Sequence, residues 1–512
     1  MSVCIKTFAP WWLQWYELTV EADQSNGLPK IEIIGLPDLA IKEAKERIRS
    51  TFKNCCLSLP PRRLVVNLAP SELKKIGTRY DLPIAVALLH LVREETTQQT
   101  GFGNWLFFGE LGLEGTIKYV AGLLPSLISA KKQGYTHFVV PQENIHELVY
   151  IPDITLFPVA HFQQIIDHCT SLSKLQPQPV QSPDHLISSS LASNEDFHAI
   201  SGHLVAKRAL TIAAAGMHNI LLVGPPGSGK SLLAKALPGL LPPLTFPQIL
   251  EISQIYSVAW LLSQEHPLIT KRPFRSVHHT ASKVAIVGGG QHLVPGEVSL
   301  AHLGVLFFDE LPEFPREVLE VLRQPLEDKS IVISRAHGSV TYPAQVMFVA
   351  AMNPCRCGYY KDREKPCVCS LNDIKNYQQR ISWPLLDRFD LIVEIPRQSI
   401  DTILDPQTIT SSPNFQEMIL NCRQEQSKRF AGTSISTNAT IPAKHITSYI
   451  PLTPEAKQFI SEYVSLYHLS PRVAHKLIKV ARTIADIDAC PIVSRQHLAE
   501  ATQYRAKSLF VG

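Results

Sequence analysis

The 512-residue sequence holds no run of about 18 uninterrupted apolar residues, so no membrane-spanning helix and no membrane partner are expected. Its start, MSVCIKTFAPWW, lacks a basic segment followed by an apolar one, and no secretory signal is expected. Cysteine is sparse. Of the ten, Cys4, Cys55, Cys56, Cys169, Cys422 and Cys490 are scattered without paired spacing, which excludes a disulfide framework and predicts a reducing, cytoplasmic setting. Charge of one sign is thin as well. A net +4 permits a nucleic-acid partner without arguing for one. The chain is too long for one core, and about two to four domains are expected.

Residues 171–190, rich in Ser, Pro and Gln, read as a linker. Before it, apolar runs such as KIEIIGL, RLVVNLA, NWLFFGEL and HFVVP alternate with a helical pattern, DLAIKEAKERIRSTF. After it, short buried strands alternate with helices to about Pro396, and a polar stretch at 399–412 leads into a mainly helical tail. The expected fold is a multidomain α/β chain: an N-terminal domain at 1–170, an engine at 191–397 and a helical lid at 398–512.

The engine carries ILLVGPPGSGKSLLAKAL, a buried strand entering a glycine-rich turn that opens a helix. Gly224, Pro225, Pro226, Gly227, Ser228, Gly229, Lys230 and Ser231 fit G-x-x-x-x-G-K-S, a cradle in which backbone N–H groups converge on phosphates. Lys230 is expected to reach the β- and γ-phosphates of ATP, and Ser231 to ligate Mg²⁺. In GVLFFDELPEF, four apolar residues deliver Asp309 to the same Mg²⁺ and Glu310 to the attacking water. Acidic residues also often simply end a strand; the pairing with the phosphate loop favours the chemical reading. A third strand, VMFVAAMN, ends in Asn353, placed for the γ-phosphate or the water.

This order resembles the AAA+ ATPases, whose motif implies further residues. Arg388, in LLDRFD, matches the arginine finger that reaches a neighbouring subunit's ATP; local pairing with Asp387 or Asp390 is the alternative, and Arg380 is a second candidate. Trp383 departs from the small residue expected before Pro384. Arg472 resembles the lid arginine sent to the γ-phosphate. It opens a helix with an apolar stripe of Val473, Leu477, Val480 and Ile484; His475, Lys476, Lys479 and Arg482 lie on the other face, with a solvated basic side as the alternative to a functional one.

Two inserts narrow the resemblance to the branch with magnesium chelatase ATPases and MCM helicases: a helix-2 insert containing His278 and His279, read as a turn or pore loop, and a pre-sensor hairpin turning at Arg335 to Gly338. Arg335 and His337 at its tip are candidates to grip a phosphate backbone. The phrases DFHAISGHLVAKRAL, GVLFFDELPEF, AAMNPCRCG, PLLDRFDL and VARTIADI resemble the YifB/ComM group across essentially the full chain. That resemblance implies a homo-hexameric ring driving branch migration of DNA during integration of transforming DNA. Rival readings are a protein-remodelling ATPase and a metal-chelatase ATPase subunit, which would need a partner with an integrin-type domain.

FGELGLEGTIKYVAGLLPSLISAKKQGYTHFVVPQEN resembles the α+β catalytic domain of Lon proteases. In that resemblance Leu124 stands at the catalytic lysine and Asp81 at the serine, which implies a domain without proteolytic activity. Arg62, Arg63, Lys74, Lys75 and Arg79 form a candidate phosphate-facing patch, with solvated surface charge as the alternative.

The remaining cysteines, Cys355, Cys357, Cys367 and Cys369, stand as C-x-C, nine residues, C-x-C. Four soft ligands in two close pairs fit a structural Zn²⁺; reduced thiols in a hairpin are the alternative. With all four positions taken by sulfur, such a metal would brace the engine rather than catalyse.

Overall fold

A computed structural model describes residues 2–11, 14–72, 75, 77–94, 102–182, 197, 200–263, 265–290, 293–335, 338–362, 364–398 and 414–505. The stretch 399–412, residues 183–190 of the expected linker, residues 191–196 of the expected engine, Lys74 and His337 lie outside the described residues. The chain divides into two compact units, Met1–Leu186 with Ile249–Ile269, and Ile187–Gln248 with Thr270–Gly512. Among the described residues no helix is long and apolar enough to cross a membrane.

The first unit is built on a seven-stranded mixed sheet. Its strands are β1 (Val3–Trp11), β2 (Gln14–Ser25), β3 (Lys30–Ile34), β4 (Arg63–Ala69), β5 (Trp105–Phe107), β6 (His137–Pro141) and β7 (Thr155–Val159), in the order β3-β4-β2-β1-β5-β6-β7. Alternation sets the buried face: in β4, Leu64, Val66 and Leu68 point to the core and Arg63 does not. Helix α1 (Leu39–Asn54) starts at Asp38, whose carboxylate accepts from the Ile41 N–H at 2.9 Å, and buries Ile41, Ala44, Ile48 and Phe52 at helical spacing. Helix α2 (Asp81–Arg93) is enclosed along almost its whole length.

Among the described residues the basic patch expected in this unit is broken up. Lys75 is fully buried, its ammonium donating to the Pro70 carbonyl, and the Arg79 guanidinium donates inward to the Ala121 carbonyl at 3.1 Å. Arg63 pairs with Glu32. The sequence shows charge but not that the loop around the patch folds it inward.

The second unit holds five parallel strands, β8 (Ile220–Val223), β9 (Phe274–Val277), β10 (Val305–Phe308), β13 (Met347–Met352) and β14 (Leu391–Glu394), in the order β9-β10-β13-β8-β14. β8, β10 and β13 are buried at every residue, as strands covered on both faces must be. The hairpin β11 (Ser330–Arg335) and β12 (Gly338–Pro343) turns where expected, with Arg335 opposite Gly338.

The tail contributes the helix Phe415–Arg429 and the helix Pro471–Ile487, here α3 and α4. In α4 the stripe Val473, Leu477, Val480 and Ile484 is buried, at about 1.5–3 kcal/mol for each side chain, and joins one hydrophobic cluster with Leu222 and Val349 of the sheet. Its other side is not the solvated basic face expected. Arg482 is buried against Asp486 at 2.7 Å, Lys476 pairs with Asp390 at 2.9 Å, and Lys479 donates to the Ala439 carbonyl at 3.1 Å. Helical spacing shows which residues share a face; here Asp390, the Ala439 carbonyl and Asp486 of the same helix take up its cations.

Candidate active site

Parallel strands present their C-terminal ends at one edge of the sheet, and three of those ends carry the polar residues of the site. Gly224 follows β8, Asp309 follows β10 and Asn353 follows β13. A Cβ at Gly224 would collide with the Ile395 carbonyl, and Gly227 and Gly229 have φ of +76° and +79°, left-handed values that favour glycine. These constraints fix the loop that leads into the helix Lys230–Leu240.

Lys230 is buried. Its ammonium donates to the carbonyls of Gly224 and Pro225, each at 2.8 Å, and to Asn353 Oδ1 at 3.3 Å. Burial lowers it to about 8, against the pull of Asp309 and Glu310. Ser231 Oγ donates to Asp309 Oδ2 at 2.6 Å. Glu310 is exposed and sits at φ 51°, a left-handed conformation uncommon for a non-glycine residue and costly to hold. His279 Nδ1 lies 4.0 Å from Glu310 Oε2.

The donor set fits a Mg²⁺ nucleotide. A hydroxyl and a carboxylate are in contact at Ser231 and Asp309, oxygen ligands of the kind Mg²⁺ takes. The Lys230 ammonium rests on neutral oxygens that a phosphate would outcompete. Ser228 Oγ is buried with no hydrogen-bond partner, an unspent polar group inside the loop.

Lys230, Ser231, Asp309 and Asn353 therefore come together, with Glu310 next to Asp309. Arg388 and Arg472 form a second cluster. Arg388 is buried, pairs with Glu327 and donates to the Arg323 carbonyl at 3.4 Å; Arg472 reaches the other oxygen of Glu327 at 3.2 Å. The local partner of Arg388 is thus Glu327 rather than Asp387 or Asp390. Asp390 instead pairs with Lys476 and lies 3.4 Å from His218; burial opposes its ionisation, but Lys476 and His218 hold it far below the usual carboxylate range. Arg380 pairs with Glu313 at 3.0 Å. The His278 and His279 rings lie 4.2 Å apart, centroid to centroid, tilted by 32°.

Glu327 and His203 were not read from the sequence, and His279 was read there only as part of a turn or pore loop. Glu327 ties both arginines. His279 neighbours Glu310. His203, at φ 53°, is held by Gln398 at 3.1 Å and lies beside Gly229. Each is delivered from a segment distant in the sequence from the residue it meets.

The four clustered cysteines bring their sulfurs within 4.8 Å of one another, with Sγ separations of 3.3, 3.7 and 3.5 Å among Cys355, Cys357 and Cys367. Tetrahedral Zn–S bonds of about 2.3 Å put sulfurs about 3.8 Å apart, so the set fits Zn²⁺. Among the described residues no other group of three or more such ligands gathers.

In the N-terminal unit, Leu124 and Asp81 are both fully buried. Arg47 donates to both oxygens of Asp81, at 2.6 and 3.0 Å, and the Leu111 N–H lies at 3.3 Å.

Family models match three segments: magnesium chelatase, subunit ChlI, over 196–403; subunit ChlI of Mg-chelatase over 20–144; and the ChlI C-terminal model over 409–505. The chain is 39% identical over 491 residues to an uncharacterized protein, YifB, of Escherichia coli, covering 96% of this chain and 94% of that one. It is 38% identical over 492 residues to the competence protein ComM of Haemophilus influenzae, covering 96% and 94%. A weaker likeness, 26% over 156 residues, spans 29% of this chain and 18% of a Lon protease of Leptospira interrogans.

Proposed function

The chain belongs to the YifB/ComM family of magnesium-chelatase-like proteins, and from that premise we infer an AAA+ motor that hydrolyses Mg·ATP to drive branch migration of DNA. The observation that carries the reading is the meeting of Lys230 with Asn353 and of Ser231 with Asp309 at one edge of a parallel sheet. Lys230 binds the β- and γ-phosphates, exchanging carbonyl partners for charged ones. Ser231 and Asp309 hold Mg²⁺, which neutralises charge developing on the phosphates. Glu310 orients the attacking water, and Asn353 contacts the γ-phosphate or that water. Arg388 acts on a neighbouring subunit's nucleotide in a homo-hexamer, and Arg472 acts from the lid; both must first leave Glu327.

DNA as substrate draws support from the name of the competence protein relative and from the sequence reading of Arg335 and His337 as a basic pair able to grip a phosphate backbone. The division at 1–170, 171–190, 191–397 and 398–512 is part of the same reading. So is a Lon-like domain without protease activity, supported by the Asp81–Arg47 pair at the serine position. A second reading, an ATPase subunit of a metal chelatase, is favoured by the description of the matching family models.

Migration of a synthetic three- or four-way DNA junction, with and without ATP, tests the proposal beside the Glu310→Gln variant. Strand exchange that requires ATP and disappears in the variant is expected. ATP hydrolysis with no junction movement and no stimulation by DNA would overturn the substrate.

A further inference from the structure

The cysteine loop meets the phosphate loop directly at Gly358 and is tied to it through residues on either side at two further places. Asn353, two residues before Cys355, accepts from Lys230 at 3.3 Å. Gly358, one residue after Cys357, is buried against Pro226: a Cβ there would stand 2.5 Å from Pro226 Cδ, and its φ is +88°. The Arg397 guanidinium lies 5.3 Å over the Tyr359 ring and 3.7 Å from Asp362, two residues beyond Ile395, whose carbonyl closes the space at Gly224.

The thiols that define this loop are not spread along it. Cys355 is fully buried, receives the Tyr360 N–H at 3.3 Å, and stands 3.7 Å from Cys367 across the intervening turn. No disulfide joins them. Four converging sulfurs with backbone N–H groups directed at them suit a tetrahedral thiolate centre, in which such outer donors fix the ligand orientation. Without a crosslink, holding this loop closed against Pro226 costs chain entropy.

We propose that Cys355, Cys357, Cys367 and Cys369 bind one Zn²⁺ that clamps Gly358 against Pro226, so that nucleotide affinity at the phosphate loop depends on the metal. The proposal rests on reading Gly224–Ser231 as the nucleotide site. It makes the knuckle a brace for phosphate binding, acting through packing and not through chemistry on the nucleotide.

The test uses the full chain purified under reducing conditions, with metal content by mass spectrometry and binding of a fluorescent ATP analogue with Mg²⁺. The wild type is expected to carry about one zinc per chain. The Cys367→Ser/Cys369→Ser variant should lose the zinc and bind nucleotide about tenfold more weakly. Gly358→Val keeps all four thiols while displacing Pro226, and, with its zinc content measured alongside, should also weaken binding severalfold. If the cysteine variant fails to fold, Gly358→Val decides the question. Wild-type protein without zinc, iron in its place, or normal affinity in Gly358→Val overturns the brace. Lys230→Ala separates the two readings: normal nucleotide binding in that variant overturns the nucleotide site itself, whereas a defect there beside normal Gly358→Val overturns the brace alone.

Discussion

In the N-terminal unit the Asp81 carboxylate is wholly buried and gripped by Arg47, whereas in the second unit the Lys230 ammonium is also buried but rests on carbonyl and amide oxygens. Burial shifts both, Asp81 up to about 6 and Lys230 down to about 8. The partners make the difference. A charge closed by an opposite charge and a fixed N–H has no capacity left for a ligand, and its removal is felt as stability. A charge resting on neutral acceptors gains when an anion arrives, and its removal is felt as function. Ser228 belongs with the second case, since its buried hydroxyl has no partner to lose.

The largest effect expected is at Lys230. Lys230→Ala should weaken nucleotide binding by about 10²-fold, the loss of a hydrogen bond to a charged group, with the unfolding midpoint held or raised. A lowered midpoint with intact binding would place Lys230 beside Asp81. Next, Arg47→Ala leaves the Asp81 carboxylate buried and unpaired, and should cost about 3 kcal/mol in urea unfolding with nucleotide affinity unchanged.

Acidity sharpens the contrast further. Below pH 8 the Lys230 ammonium is already charged; above it, binding an anion must take up a proton, so affinity for ATP should fall as pH rises through about 8, approaching tenfold per pH unit. Titration calorimetry from pH 7 to 9.5 would read both the affinity and the proton uptake. A flat profile would mean that the ammonium is not the group that meets the phosphates. The smallest effect belongs to Ser228→Ala: folding free energy within about 0.5 kcal/mol of wild type, and nucleotide affinity reduced about fivefold, the worth of one hydrogen bond.

Much of the second unit is legible because its motifs are local. Gly224 to Ser231 is contiguous, and the buried strands before Asp309 and Asn353 announce themselves as apolar runs. Their convergence follows from parallel pairing, which puts strand ends on one edge. Contacts made across the chain stayed hidden: Glu327 joining Arg388 to Arg472, Gly358 against Pro226, and Arg47 filling the space beside Asp81. The misread surfaces share one cause. Lys75, Arg79, Lys476 and Arg482 look like exposed cations in the sequence, but each reaches a carbonyl or carboxylate that the fold turns toward it. Charge is visible in a sequence; the partner that neutralises it is a property of the fold.

The most direct test is Mg·ATP-dependent phosphate release by the wild type, Glu310→Gln and Asp81→Asn, measured side by side. Loss of turnover by about 10²–10³-fold in Glu310→Gln, with wild-type turnover in Asp81→Asn, is the predicted result. Turnover that survives Glu310→Gln, or that fails in a folded Asp81→Asn protein, would contradict the assignment of the chemistry to the sheet edge at Lys230, Ser231 and Asp309.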